Sequence, residues 1–405
     1  MPNPDRPWAS CQLGAREHYA IPRALQSVGK LDTLITDTWV PPGSSWRRLQ
    51  KNLSERFHPE IPESRVCSST SRSVAFELSS RLLGFQGWER MIRRNLWFQN
   101  RAVKTLETRF TREPGRQSRG TLFSFSYTAL EPFRWAKSRG WKTILGQIDP
   151  GIGEENHIRR IQRTHEDVEF RYPCAPADYW NNWREECGLA DTIVVNSWWS
   201  KERLVEVGIS PDKIEIVPLA YDPPPESTDF CRIYPSQFSA TRPLRVLFLG
   251  QVSARKGVVE LLESARLLAE RPVEFWMVGP EVFTIPRELR EQATVKWMGA
   301  VPRGNTAALY RNADLFLFPT HSDGFGLTQL EAQAWRLPLI ASPYCGKVVQ
   351  HGINGLELTE VTAGAIAEAL KICLDHPEQL AAWSSQADDL SAYSIEQLSK
   401  RLISL

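Results

Sequence analysis

Two clusters of side chains could do chemistry, and both lie where an apolar run meets glycine. In the first, Phe248-Leu249-Gly250 leads through a short loop to adjacent cations, Arg255 and Lys256. Cations beyond the carboxyl end of a strand can stabilise the charge of a diphosphate as it departs. In the second, the apolar run Leu315–Pro319 leads into Asp323-Gly324-Phe325-Gly326. A helix expected over Leu327–Trp335 follows, carrying Glu331, and then a further apolar run, Pro338–Ser342. In such a strand, glycine loop, helix and strand, the amides of Phe325, Gly326, Leu327 and Thr328 sit where a phosphate can be held, and the glycines permit close approach. Asp323 and Glu331 stand eight positions apart. A carboxylate as deep in the helix as Glu331 does not favour phosphate; it suits hydroxyls, such as those of a ribose.

Elements must position these clusters. Strand-like runs at Arg245–Gly250, Glu274–Gly279, Val295–Gly299, Leu315–Pro319 and Pro338–Ser342 alternate with helical patterns, notably Val258–Glu270 and Thr306–Asn312. Near-continuous apolar strands between helices indicate a doubly wound parallel α/β sheet, covered on both faces. The first half is less regular. It offers strands at Thr33–Thr36, Leu122–Phe125, Thr143–Ile148, Thr192–Asn196 and Ile214–Pro218, and helices at Ala15–Val28, Val74–Leu83, Trp88–Thr105 and Lys201–Val207. A second α/β domain with longer insertions is expected. Between the halves, Tyr221–Pro243 holds three consecutive prolines and no periodicity, the mark of a linker or hinge.

Around Asp323 and Glu331 the chain resembles the glycosyltransferases of the GT-B fold, family 4 type. Their signature is an acid, seven residues and a Glu, read around Gly-Phe-Gly-Leu; Asp323 stands where the family usually has Glu. Val194–Ser197 through Lys213–Pro218 also resembles the last βαβ of the first GT-B domain. The resemblance is firm over about 190–360 and loose before it. It implies two Rossmann-like domains facing each other across a cleft: 1–220 for the acceptor, a hinge at 221–243, 244–380 for the donor, and a helix in 381–405 crossing back onto the first domain. It also implies a nucleotide-diphosphate sugar as donor, with Arg255 and Lys256 on the diphosphate, Asp323 against the donor and Glu331 on the ribose. Gly250, Gly324 and the Val301 loop would line that site, and Gly14, in the first loop, would approach it. Retention of configuration follows from the resemblance, with the departing phosphate taking the acceptor proton and no enzymic nucleophile. No Asp-x-Asp lies in these motifs, so no metal or cofactor is expected; helix amides with Arg255 and Lys256 can neutralise the leaving group instead.

The acceptor side is thinner. Asp149, Glu154 and Glu155 lie in a glycine-bearing loop after a strand, where acids could bind sugar hydroxyls or merely begin a helix. Between residues 81 and 119, ten Lys or Arg stand against three Glu, with Trp88, Met91, Trp97 and Phe98 interleaved. A basic amphipathic helix of this kind can lie on an anionic membrane, within reach of a lipid-linked acceptor; the alternative is a solvated charged face.

The remaining composition narrows the classes. A chain of 405 residues with 42% hydrophobic content suits two soluble domains, and a net charge of +2 excludes bulk polyanion binding. No nucleic-acid-binding pattern is present, so no such partner is expected. Seven scattered cysteines without a C-x-x-C pair suggest reduced thiols in a cytoplasm. Met1–Pro7 lacks an apolar run, so no signal peptide is expected, and no window approaches the ~18 apolar residues of a membrane span. The reading is a cytoplasmic glycosyltransferase, with peripheral contact on the inner membrane face as an extension. The alternatives are a non-catalytic nucleotide-sugar-binding or scaffold protein, or a phosphorylase or epimerase, of the same fold. Without a G-x-G-x-x-G fingerprint a nicotinamide dehydrogenase is disfavoured.

Overall fold

The computed structural model describes residues 7–48, 53, 55–111, 119–163, 174–387 and 389–405. Met1 to Arg6, and Arg112, Glu113 and Arg116 of the basic stretch, lie outside the described residues. The first sheet has seven strands: β1 (Trp8–Gln12), β2 (Leu31–Thr36), β3 (Val66–Ser68), β4 (Thr121–Phe125), β5 (Lys142–Gly146), β6 (Thr192–Val195) and β7 (Ile214–Ile216). Their order is β3-β2-β1-β4-β5-β6-β7. The second has six: β8 (Leu244–Leu249), β9 (Val273–Val278), β10 (Val295–Gly299), β11 (Leu315–Phe318), β12 (Leu339–Ala341) and β13 (Gly355–Glu357), in the order β10-β9-β8-β11-β12-β13. Every strand pairing is parallel.

Alternation along each strand divides the core. In the second sheet Val246, Phe248, Leu315 and Leu317 face the helices Val258–Leu267 and Ala363–Asp375, whereas Leu247, Phe316 and Phe318 face the helix Leu327–Ala334. In the first sheet Ala9, Cys11 and Leu122 pack on Phe98, Ala102 and Leu106, a stripe at fourfold spacing on the helix Gly87–Thr111. The opposite face packs Leu34, Phe123 and Phe125 on the helix Ala20–Ser27. Leu398 and Leu402 of the last helix, Ile395–Ser404, join that same first-domain cluster. All seven cysteines are free thiols.

Several elements differ from expectation. The helix expected from Ala15 begins at Ala20. Pro22 cannot continue a helix reaching back to His18, because its ring would meet that carbonyl. Instead Glu17, His18 and Tyr19 take left-handed φ values of 50°, 50° and 61°. The Tyr221–Pro243 segment is not a loose tether. Arg232 donates to the carbonyl oxygens of Trp335, Ala313 and Tyr310, and Arg242 pairs with the buried Asp314 at 2.6 Å. This staples its second half to the second domain. Part of the basic face is paired: Arg90 with Glu77, Arg93 with Glu89, Arg94 with Glu77 and Asp37, and Arg109 with Asp32. Among the described residues no helix is long and apolar enough to cross a membrane.

Candidate active site

Each sheet changes its direction of growth once, between β1 and β4 and between β8 and β11. The crevice beyond the strand ends at such a switch point is where open α/β sheets bind ligands. After β8 the chain passes Gly250, whose N–H donates to Val278 O at 3.0 Å, and makes a single tight turn, Ala254–Lys256. Gly257 closes the turn at φ 69°, and a Cβ there would lie 1.9 Å from Pro319 O. Glycine therefore lets the cation turn touch the loop after β11. His321 N–H then donates to Arg255 O at 2.9 Å, and Arg255 Nη1 donates to Ser322 O at 2.7 Å. The two sequence clusters are thus one backbone unit.

Within it, Lys256 Nζ contacts the Asp323 carboxylate and lies 4.8 Å from the centre of the Phe318 ring. Burial, with Arg255 beside it, pulls the Lys256 ammonium down to about 7, while Glu154 and Cys345 oppose the shift. The Asp323 contact also favours the charged form. Asp323 Oδ1 accepts from Phe325 N–H at 3.1 Å as well, so this acid both holds Lys256 and shapes the glycine loop. Phe325 is buried, and Gly326 at φ 84° opens the helix Leu327–Ala334. The first helical amides, including those of Leu327 and Thr328, have no partner within a helix and suit an anion. Glu331 accepts from Tyr310 Oη at 2.7 Å on the wall of a cavity of about 450 Å3, shared with Thr306, Arg311 and Trp335. Val301 packs at the edge of the cluster beneath it.

The first domain meets this loop closely. A Cβ on Gly324 would lie 2.6 Å from Ile148 O, Trp199 Nε1 donates to Ser322 Oγ at 2.9 Å, and Ser200 Oγ donates to Gly324 O at 3.3 Å. The three candidate acceptor acids separate. Glu154 lies 3.3 Å from Arg255 Nη1; burial pushes its carboxyl up, and Arg255 opposes this. Glu155 accepts from Ala175 N–H at 2.8 Å, a structural tie rather than a free acceptor group. Asp149 lines a different cavity, of about 590 Å3, at the first switch point. Gly14 lies at the end of β1, where its N–H donates to Asp37 Oδ1 at 2.8 Å. Among the described residues no group of three His, Cys, Asp or Glu side chains could hold a metal.

Comparison with known proteins places this geometry. Residues 243–376 match the family Glycosyl transferases group 1. That stretch, the second domain, is similar to the group 1 glycosyltransferases. A D-inositol 3-phosphate glycosyltransferase of Corynebacterium aurimucosum is 26% identical over 307 residues, covering 67% of this chain and 69% of the relative. The chain spans about half the length of the first curated relatives it matches. Among solved structures, Anabaena HepE in complex with UDP and glucose aligns with a TM-score of 0.63 at 14% identity, over 98% of both chains. Sucrose-phosphate synthase from Thermosynechococcus elongatus aligns at 0.67 and 16%, over 98% of this chain and 97% of the other. The two-domain fold is GT-B.

The group 1 domain therefore contains the cation turn, the acid loop and Glu331. It also contains a pair that sequence reading missed: His321 Nε2 lies 2.6 Å from Glu260 Oε1, both buried, tying the acid loop to the helix after the cations. Sixty-one positions separate the two, so no local pattern signals it. Outside the group 1 domain, Glu186 accepts from the amides of Tyr127, Ala129 and Leu130 at 2.7, 2.9 and 3.1 Å. Burial pushes this carboxyl up to about 7, against those three donors. It fixes the loop after β4, and nothing in the local sequence marks it.

Proposed function

We propose that the chain is a glycosyltransferase that moves a sugar from a nucleotide-diphosphate donor to an acceptor hydroxyl, with retention of configuration and without a metal. The observation that carries this is the backbone union of the cation turn with the acid loop at the second switch point. The donor diphosphate would lie over the first turn of Leu327–Ala334, with Arg255 and Lys256 balancing its charge and Glu331 on the ribose. As the bond between the anomeric carbon and the phosphate oxygen breaks, the acceptor oxygen bonds to that carbon from the same face. The acceptor proton passes to the departing phosphate oxygen. UDP is the first nucleotide to test, because HepE was solved with it.

Incubation with UDP-sugars and candidate acceptors, read by NMR, tests transfer and anomeric outcome together. An inverted product removes the same-face mechanism. Donor binding without any transfer favours the non-catalytic alternative. One observation supports that alternative: Asp323 is already engaged by Lys256 and the Phe325 amide.

Peripheral membrane contact belongs to the same proposal but shifts its footing from paired arginines to apolar side chains. Leu78, Leu82 and Leu83 are exposed at the end of the helix Thr70–Leu82, beside Arg81. Leu82→Glu with Leu83→Glu should abolish sedimentation with anionic vesicles; unchanged sedimentation ends the membrane idea.

A further inference from the structure

The cavity of about 590 Å3 at the first switch point is walled by the ends of β1, β4 and β5 and by the helix Gly87–Thr111. One wall is aromatic. Tyr127 stacks on Tyr179 with ring centres 4.9 Å apart, and Trp88 packs on Tyr179 at the same separation. Such faces suit the C–H side of a sugar or polyol ring.

The other wall is cationic, with Arg16, Arg90 and Arg94. Glu77 pairs with both Arg90 and Arg94, and Asp37 also pairs with Arg94. Arg16 is different. Among the described residues no carboxylate stands within ion-pair distance of it. Asp149, the one acid of the cavity, accepts from the Tyr127 hydroxyl at 2.5 Å, the Gly151 amide at 2.9 Å and Gln147 Nε2 at 3.2 Å. Burial lowers the Arg16 pKa, with Asp149 and Glu17 opposing from a distance. The half-buried Arg16 guanidinium lies 5.8 Å from the centre of the Phe125 ring and has no bonded counter-ion, a deficit that an anionic ligand offsets. The backbone keeps Arg16 there despite strain. The next three residues are left-handed, a conformation L side chains avoid, and Tyr19 is locked edge-on to Trp39 at 5.1 Å.

We infer that this cavity takes an acceptor bearing a phosphoryl group, held by Arg16, with the acceptor ring against Tyr127, Tyr179 and Trp88. The inference rests on the glycosyltransferase reading and names the class of its acceptor. Ile148 and Asp149 line the cavity and adjoin Gly324 of the donor loop, so a ring hydroxyl can face the donor. A bidentate guanidinium matches phosphate geometry. The phosphoryl group can belong to a soluble sugar or polyol phosphate or to a lipid phosphate.

The test is calorimetry on the full chain with UDP present. Hexose phosphates and inositol phosphates are compared with their uncharged parents, and vesicles carrying a polyprenyl-phosphate sugar form a separate arm. Phosphorylated ligands should bind at least tenfold more tightly than the parents. Arg16→Gln should erase that difference, Arg16→Lys should keep part of it, and UDP affinity should be unchanged in both. Binding by the soluble phosphates identifies a soluble acceptor, and binding by the vesicles alone identifies a lipid one. Equal affinity for charged and uncharged soluble ligands together with no binding to the vesicles, or phosphate-dependent binding in either arm that survives in Arg16→Gln, overturns the inference. If Arg16→Gln does not fold, the wild-type comparison still decides. Failure of UDP itself to bind counts against the donor reading instead and is seen separately.

Discussion

The two sheets place their switch points alike but build them in opposite ways. In the group 1 domain the site is made by two short loops, 250–257 and 319–326, pressed together at Gly257 and Pro319. In the first domain Arg16, Tyr127, Asp149 and Tyr179 arrive from four distant segments and are held by supports such as Glu186 and the left-handed turn. The contrast separates a site encoded locally from one that exists only after folding. On the proposed function the tasks divide as well: the local site would carry the charge chemistry, and the assembled one would recognise the acceptor.

The sharpest way to break this division is to remove the cations. Arg255→Ala or Lys256→Ala should lower transfer by ~10²–10³, about 2.7–4 kcal/mol of barrier, as loss of a preorganised charge does. Steady-state kinetics would show it, with acceptor binding in the first domain intact. Near-normal turnover would detach the cations from the chemistry.

Next comes the support beneath the assembled site. Glu186→Ala leaves two buried amides and one half-buried amide without their acceptor, which should cost about 1–3 kcal/mol in thermal unfolding. Acceptor affinity should weaken while UDP affinity holds. If both affinities fall together, the two sites are not separable.

The smallest effect is one of pH. With a folded value near 7, Lys256 is charged below that pH and loses its proton above it. A bound diphosphate favours the charged form. UDP binding above pH 7 should therefore take up as much as about one proton and weaken by up to about tenfold per pH unit. Calorimetry in buffers of different ionisation enthalpy measures that uptake. No uptake would mean that the Asp323 contact already keeps Lys256 charged in the free protein.

The same division explains what could be read in advance. The strand expected at Arg245–Gly250 is β8 at Leu244–Leu249, and the helix expected at Leu327–Trp335 is Leu327–Ala334, because apolar runs bounded by glycine leave little choice. β1 was hidden: Trp8-Ala9-Ser10-Cys11-Gln12 is buried throughout, but its polar Ser10 and Gln12 interrupt the apolar signal. β13 is too short, at three residues, to stand out. At the candidate site, Arg255, Lys256, Asp323 and Glu331 stood out by residue type and place after apolar runs, and their donor roles came from the family resemblance. The Arg16 cavity was not, since its cation, aromatics and acid meet only through tertiary packing. Glu154 was legible as an acid near a strand end, but its place opposite Arg255 depends on how the two domains meet.

The central claim is that the nucleotide diphosphate binds at the group 1 switch point and not at the first. The most direct measurement is calorimetric titration of UDP into the wild type, Glu331→Ala and Arg16→Gln. The account predicts binding that is lost or weakened at least tenfold in Glu331→Ala and unchanged in Arg16→Gln. UDP binding that survives in Glu331→Ala and fails in Arg16→Gln would contradict it.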